Sequence, residues 1–199
     1  MPGLAGFIPA PDLNPDTSRD LLLKMQDTLT GPSSMERTPF CSPDVCATLV
    51  DANAQHPGQA HVIQENLQVW LDGEFYNRQD IAHDLKRPAT SDGDLLIALL
   101  NTQPAALAQI DGIFTAVVHN SQTREIHLIS DRYGLRPCFW SLMNGSLAWA
   151  SEMKALCHLP GFRPKVNRQA LNAFLKVGYF FGHDSWFEEI ERLPPATIL

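Results

Sequence analysis

Cysteine and histidine are the residues of this sequence best suited to act as nucleophiles or metal ligands. The four cysteines, at positions 41, 46, 138 and 157, form no C-x-x-C pair and no dense disulfide framework. None of the seven histidines stands four residues from another, the spacing of zinc ligands on a helix. We therefore expect reduced cysteines in a cytoplasmic protein, and no metal site.

Polar residues at the ends of two predicted elements are the candidates for contacting a ligand. Asp72, Gly73 and Glu74 follow a strand with apolar residues at alternate positions, and a carboxylate there can pair with a cationic group. Asp92 begins a predicted helix, where it can either cap the helix or contact a ligand. For all of them the alternative is an ordinary structural role in a turn or a cap.

Two further stretches are interpreted as structural. In "DRYGLRP", the side chains of Asp131, Arg132 and Arg136 are predicted to pair around a turn that closes the sheets. Cys46 stands in the predicted strand "CATLV", where it is expected to be a small apolar residue of the core.

The predicted strands cluster in the middle of the chain. The first covers residues 3–8, and others are "LQVWL", which runs into a turn at Asp72-Gly73, "GIFTAVVHN" and "REIHLIS". A further hairpin is indicated by Asn144-Gly145 before "SLAWAS".

The predicted helices lie on both sides of these strands in sequence. One begins at a cap formed by Asp16, Thr17 or Ser18, a second covers residues 77–86, and a third begins at Ser91 or Asp92. Two more are "SEMKALCHL" and "NRQALNAFLKVG". This order favours an α+β fold, with antiparallel sheets covered by helices, over a parallel βαβ fold.

Composition limits the class of protein further. A chain of 199 residues with 44% apolar and 19% charged residues predicts one globular domain with a well-developed core. The net charge of -7 argues against binding to nucleic acid or to an anionic membrane. The sequence contains neither a signal-peptide pattern nor an apolar run of about 18 residues, so we expect a soluble protein.

Four blocks, in the right order, resemble the glutaminase domain of the asparagine synthetase family, the class II, N-terminal-nucleophile glutamine amidotransferases. They are "GLAGF" from Gly3, "DGEFYNRQDIAHDL" from Asp72, "SDGDLLIALL" from Ser91, and "LAQIDGIFTAVVH" running on to "ISDRYGLRPCFW". In addition, "LAWASEMKALCHLPG" with "FEEIERLPP" resembles the family's passage out of this domain. The resemblance covers nearly all of the chain except about residues 9–60.

The resemblance implies a four-layer αββα sandwich of two antiparallel sheets, and it implies a nucleophile that this chain lacks. In the family, removal of the initiator methionine leaves a cysteine at the head of the chain. Its sulfur attacks the side-chain amide of glutamine, with its own α-amine as the base. Pro2 stands at that place here, and a proline offers neither a thiol nor a hydroxyl for acyl transfer.

The resemblance also implies that the glutamine pocket is only partly kept. Asp72 stands where a family asparagine donates to the oxyanion; an ionised carboxylate has no hydrogen to donate, and losing one donor slows such reactions roughly 100-fold to 1000-fold. Cys46 aligns with the arginine that binds the α-carboxylate of the substrate. Gly73, Glu74 and Asp92 match the family, with Asp92 at the place that pairs with the α-ammonium group.

We therefore expect residues 1–199 to be an asparagine synthetase-like amidotransferase domain, inactive as a glutaminase, that acts as a scaffold or regulator of an ATP-dependent amide-forming domain. The family's S-G-G-x-D-S pyrophosphate loop is absent from this sequence. The synthetase domain would thus be fused or separate; ATP and magnesium are implied only for it, and no cofactor for this domain. Two alternatives stay open: an active glutaminase domain of a glutamine-hydrolysing asparagine synthase, and a non-catalytic module that binds a small amino acid.

Overall fold

Two antiparallel sheets form the centre of the fold, in a computed structural model that describes residues 3–29, 35–51, 61–88, 90–143 and 145–199. In spatial order, the larger sheet contains β10 (Glu191–Arg192), β8 (Phe139–Met143), β9 (Ser146–Ala150), β1 (Gly3–Phe7), β3 (Cys46–Asp51) and β2 (Glu36–Cys41). The smaller sheet contains β4 (His61–Gln64), β5 (Leu67–Phe75), β6 (Gly112–Asn120) and β7 (Glu125–Ser130).

Helices cover the outer face of each sheet. The larger sheet is covered by α1 (Pro15–Leu29) and α4 (Met153–Leu156). The smaller sheet is covered by α2 (Arg78–Asp84), α3 (Asp92–Thr102) and a 3-10 helix (Pro104–Gln109). The α-helix α5 (Arg168–Val177) belongs to the C-terminal part of the chain. Within the described ranges, no helix has the length and apolar character needed to cross a membrane.

The side chains of β5 alternate between two layers of the core. Successive residues of a strand point to opposite faces of the sheet. Val69 and Leu71 pack in the apolar cluster of α2 and α3, whereas Trp70 lies between the two sheets with Leu4 and Trp149. A third apolar cluster joins α1 and α4 to the larger sheet. Three apolar layers between four structural layers confirm the predicted αββα sandwich.

Three local features differ from the prediction or refine it. The cap of α1 is Asn14, whose side-chain oxygen accepts from the backbone N–H of Thr17, because Pro15 starts the helix earlier than the predicted caps allow. Strand β5 does not end at Asp72-Gly73 but continues to Phe75. The predicted hairpin between β8 and β9 is confirmed, with Asn144 outside the described residues.

The C-terminal segment connects the two sheets at one side of the sandwich. Leu193 donates its backbone N–H to the carbonyl of Cys138, next to β8, and β10 pairs with β8 itself. Leu199 then exchanges two backbone hydrogen bonds with Leu128 of β7 in the smaller sheet. These hydrogen bonds attach the C-terminal segment to Cys138 in one sheet and to β7 in the other.

Candidate functional site

Gly73 lies at the closest approach of β5 and β6. Its φ angle is +128°, and a Cβ added there would overlap the carbonyl oxygen of Ile113 and lie 2.6 Å from the Cα atom of Phe114. No other residue fits without moving the backbone of β6. Because Gly73 has no side chain, β5 stays paired with β6 beyond Asp72. Asp72 and the exposed Glu74 therefore flank Gly73 in one continuous strand.

Asp72 is buried next to a cation and a second carboxylate. Its side chain is 11% exposed, and its Oδ1 atom lies 3.6 Å from a guanidinium nitrogen of Arg136. Burial raises the pKa of the Asp72 carboxyl; the charge of Arg136 opposes this shift, and that of Asp51, at the end of β3, adds to it. The sequence predicted that Asp72 is ionised and has no hydrogen to donate. The raised pKa changes this prediction, because a protonated carboxyl carries one hydrogen that it can donate.

Asp72→Asn is expected to stabilise the chain at neutral pH. Folding raises the pKa of Asp72, so the protonated carboxyl is favoured in the folded chain. The stability that this gives is fully present below the ordinary pKa of 3.8 and is lost as the pH rises through the folded-state pKa. Asparagine is neutral throughout, so the urea midpoint of the variant should exceed that of the unaltered chain at pH 7, and the gain should shrink towards pH 4.

The exposed substitution Asp80→Asn is the control for this measurement, and its effect should be small at both pH values. Destabilisation of the Asp72→Asn variant at pH 7 would show instead that the ion pair with Arg136 outweighs the loss of hydration.

The first described residues of β1 lie against Asp72. A Cβ added to Gly3 would be 3.8 Å from Oδ2 of Asp72 and 2.5 Å from Oγ of Ser151. Ser151 holds β1 in place, because its Oγ accepts from the backbone N–H of Leu4 and its own N–H donates to the Leu4 carbonyl. Pro2, the residue predicted at the nucleophile position, lies outside the described residues.

Asp92 is held by groups of the chain itself. Only 6% of the residue is exposed; its Oδ2 accepts from the backbone N–H of Phe75 at 3.0 Å, and its Oδ1 lies 3.3 Å from Nε of Arg78. The cap of α3 is Ser91, whose side chain accepts from the N–H of Asp94. Asp92 thus joins the end of β5 to the starts of α2 and α3, and its contact with a ligand ammonium stays a prediction.

The turn "DRYGLRP" is structural, but its predicted ion pairs are wrong. The carboxylate of Asp131 accepts from backbone N–H groups of Phe114, Tyr133, Leu135 and Arg136. The guanidinium of Arg132 donates to the carbonyl of Ala108, and that of Arg136 pairs with Asp72. A carboxylate inside a tight turn lies next to the backbone N–H groups of that turn and accepts from them. The long arginine side chains extend outwards and bind elsewhere.

The prediction of reduced cysteines is wrong for one pair. Cys41 and Cys46 form a disulfide, because the register of β2 and β3 places them directly opposite each other. Cys46 is fully buried in the cluster under α1, so its predicted role as a core residue is confirmed. It carries no charge with which to bind a carboxylate. Disulfides are rare in a reducing cytosol, which weakens the expectation of a cytoplasmic location.

Cys138 is a buried free thiol that is influenced by the charge of Asp72. Burial, together with the charge of Asp72, raises the pKa of the Cys138 thiol to about 12. At pH 7 this thiol is therefore protonated, whereas the thiolate is the reactive form. The other free cysteine, Cys157, lies at the end of α4 and donates to the carbonyl of Met153.

The contacts that surround Asp72 had no signal in the local sequence. Arg136, Ser151 and Asp51 come from a turn and from the ends of β9 and β3, far from Asp72 in sequence. Only the antiparallel pairing of the strands and the stacking of the sheets bring them together. Of the predicted site residues, the structure brings Asp72, Gly73 and Glu74 together in β5 and attaches Asp92 to the end of the same strand.

The sequence of this chain is similar to a glutamine amidotransferase domain profile and to asparagine synthetases. The profile described as "Glutamine amidotransferase domain" matches residues 45–199. Asparagine synthetase [glutamine-hydrolyzing] 3 of Bacillus subtilis is 26% identical over 113 residues, which is 54% of this chain and 18% of the relative. The Bos taurus asparagine synthetase is 28% identical over 138 residues, which is 65% of this chain and 23% of the relative. The chain thus matches only about a fifth of the length of these relatives.

Two solved structures share the fold. Glutamine phosphoribosylpyrophosphate amidotransferase from B. subtilis superimposes with a TM-score of 0.58 at 13% identity, over 99% of this chain and 48% of that one. An allosteric regulatory enzyme of purine biosynthesis gives a TM-score of 0.54 at 14% identity, over 78% of this chain and 43% of that one. At this level of identity the likeness concerns the sandwich itself.

Proposed function

Because the chain belongs to the glutamine amidotransferase domain family, we propose that it is an asparagine synthetase-like member that has lost glutaminase activity and acts as a scaffold or regulator. The observation that carries the proposal is that residue 2 is a proline, where the resemblance places the nucleophilic cysteine of the family. In this proposal residues 1–199 form one domain, and a fused or separate synthetase domain binds ATP and magnesium and forms the amide.

The state of the other thiols supports this proposal. Cys41 and Cys46 are joined to each other, and the high pKa of Cys138 keeps that thiol protonated. Cys157 lies on the helical layer outside the larger sheet, away from the inter-sheet region of Asp72. Ser151 is next to the start of β1, but its Oγ accepts from the backbone N–H of Leu4 and serves to align two strands. None of these groups takes over the role of the missing cysteine.

The pocket also supports the loss of activity. The Oδ1 atom of Asp72 faces Arg136, and Asp92 is bound to Arg78 and to the backbone of Phe75. A glutamine ammonium would therefore compete with internal partners that are already in place. Cys46, which the resemblance aligns with the family's carboxylate-binding arginine, is in a disulfide and packs under α1. In this proposal the internal partners of Asp72 and Asp92, together with the loss of that arginine, weaken the binding of glutamine.

Ammonia release and calorimetry test this proposal. The chain incubated with glutamine should release no ammonia above the rate without protein, and glutamine, glutamate and asparagine should produce no binding heat. Hydrolysis that disappears in an Asp92→Asn variant would establish the active glutaminase alternative. Heat without hydrolysis would establish the amino-acid-binding module. A synthetase domain that loses ammonia-dependent amide formation when this chain is removed would support the scaffold role.

A further inference from the structure

A cavity opens between the 3-10 helix, β7 and the last residues of the chain. Its volume is about 360 Å³, which lies in the range of pockets that hold small organic molecules. Three of the residues that line it, Ile110, Phe114 and Ile129, are buried, and Leu107 and Ile198 add further apolar surface. The cavity is therefore large enough for a small ligand and offers it mainly apolar contacts.

This cavity is separate from the candidate site. Phe114 and Ile129 belong to the apolar cluster of α2 and α3, on the outer face of the smaller sheet. Asp72 lies on the same face of β5 as Trp70, which packs between the two sheets. Since the smaller sheet stands between the cavity and the side chain of Asp72, a ligand of the cavity would not occupy the glutamine site.

Most polar groups around the cavity already have partners within the chain. The hydroxyl of Ser130 donates to the carbonyl of Pro194 and accepts from the N–H of Thr197, whose own hydroxyl donates to the carbonyl of Pro195. The carboxylate of Asp131 accepts from the backbone N–H groups described above, which offset its charge. A ligand would gain no hydrogen bond from these groups without breaking an existing one.

Arg132 has donors to spare. One of its guanidinium nitrogens donates to the carbonyl of Ala108 at 3.1 Å, which holds the exposed side chain against the 3-10 helix at the cavity. Among the described residues, no carboxylate forms an ion pair with it. A guanidinium has five N–H donors in a planar fork that matches the two oxygens of a carboxylate. The cavity thus combines an apolar interior with one cation that can bind an anionic group.

We propose that this cavity binds a small monocarboxylic acid with an apolar chain or ring, whose carboxylate pairs with Arg132 and whose apolar part covers Phe114 and Ile129. An uncharged apolar molecule would leave the remaining donors of Arg132 unused. An amino acid or a dicarboxylate would bring a second charged group against apolar side chains, where nothing replaces its hydration. A single carboxylate on an apolar body satisfies both parts of the cavity.

Methyl NMR of the full chain titrated with octanoate tests the inference. We expect saturable shifts for the methyl groups of Ile110, Ile129 and Ile198, and none for Ile8, which lines a different cavity. The variant Arg132→Gln should weaken octanoate binding by about 10-fold or more, because it removes a charge-assisted pairing. Octan-1-ol has the same chain without the charge, so it should bind the unaltered chain and this variant equally.

The matched control is Arg163→Gln, which removes another exposed arginine and should bind octanoate like the unaltered chain. If octanoate up to about 10 mM shifts none of the three cavity isoleucines, or shifts Ile8 instead, the cavity is not the site. If Arg132→Gln binds octanoate as well as Arg163→Gln does, the cavity does not select a carboxylate and the ligand class is wrong. Shifts of the cavity isoleucines with protein concentration alone would overturn the inference in favour of a second copy of the chain as the occupant.

Discussion

A diazoketone analogue of glutamine should leave the mass of the unaltered chain unchanged, whereas the variant Pro2→Cys should gain one adduct. Such analogues react with the nucleophile of the amidotransferase site, and Pro2 provides none. A cysteine after removal of Met1 would restore a thiol on the same residue as a free α-amine, directly before Gly3 in sequence. Intact-protein mass spectrometry measures both the removal of Met1 and the adduct. An adduct on the unaltered chain would contradict the proposed loss of activity.

Turnover should need a second change, at Asp72. In the proposed pocket Asp72 stands at the oxyanion, where a carboxylate would repel the developing charge, and restoring an amide donor there contributes roughly 100-fold to 1000-fold in rate. We therefore expect Pro2→Cys/Asp72→Asn to release ammonia from glutamine at least about 100-fold faster than Pro2→Cys alone. The variant Pro2→Ala/Asp72→Asn is the control and should be inactive. Equal rates for the two cysteine variants would show that Asp72 already donates a hydrogen bond, as its raised pKa permits.

The local sequence predicted the layers of the fold well, because one side-chain period determines each of them. The alternation of Val69, Trp70 and Leu71 separates the helix-facing side of β5 from the side between the sheets. A helical period likewise predicted α3, where Ser91 proved to be the cap. These features depend on neighbours within about one turn or one strand, which the sequence shows directly.

The contacts of the candidate site depend on distant parts of the chain and could not be predicted in this way. Arg136 pairs with Asp72 and not, as expected, with Asp131. The carboxylate of Asp131 instead accepts hydrogen bonds from backbone N–H groups. The Cys41–Cys46 disulfide depends on a strand register that a stretch rich in proline conceals. The resemblance to the amidotransferases selected the candidate site residues, but it did not predict which partners hold them.

Asp131→Ala should produce the largest loss of stability of any single change near the site. Asp131 is 1% exposed, and its carboxylate accepts backbone N–H groups from β6 and from its own turn. Alanine would leave the buried N–H of Phe114 and the part-buried N–H groups of the turn without their acceptor, and an unsatisfied buried donor costs about 1–3 kcal/mol. We expect a loss of about 4 kcal/mol or more in the free energy of unfolding, measured by urea denaturation.

Asp131→Asn keeps this prediction testable if the alanine variant does not fold. Its one remaining oxygen can still accept, so the loss should be roughly half as large. The exposed substitution Asp111→Ala is the control and should change stability by less than about 0.5 kcal/mol. Because the turn of Asp131 carries Arg136 to Asp72, and the charge of Arg136 opposes the rise of the Asp72 pKa, introducing Asp131→Asn should also increase the pH-dependent stability difference that Asp72→Asn produces. A loss below about 1 kcal/mol for Asp131→Ala would mean that water replaces the carboxylate and that this turn does not hold the site together.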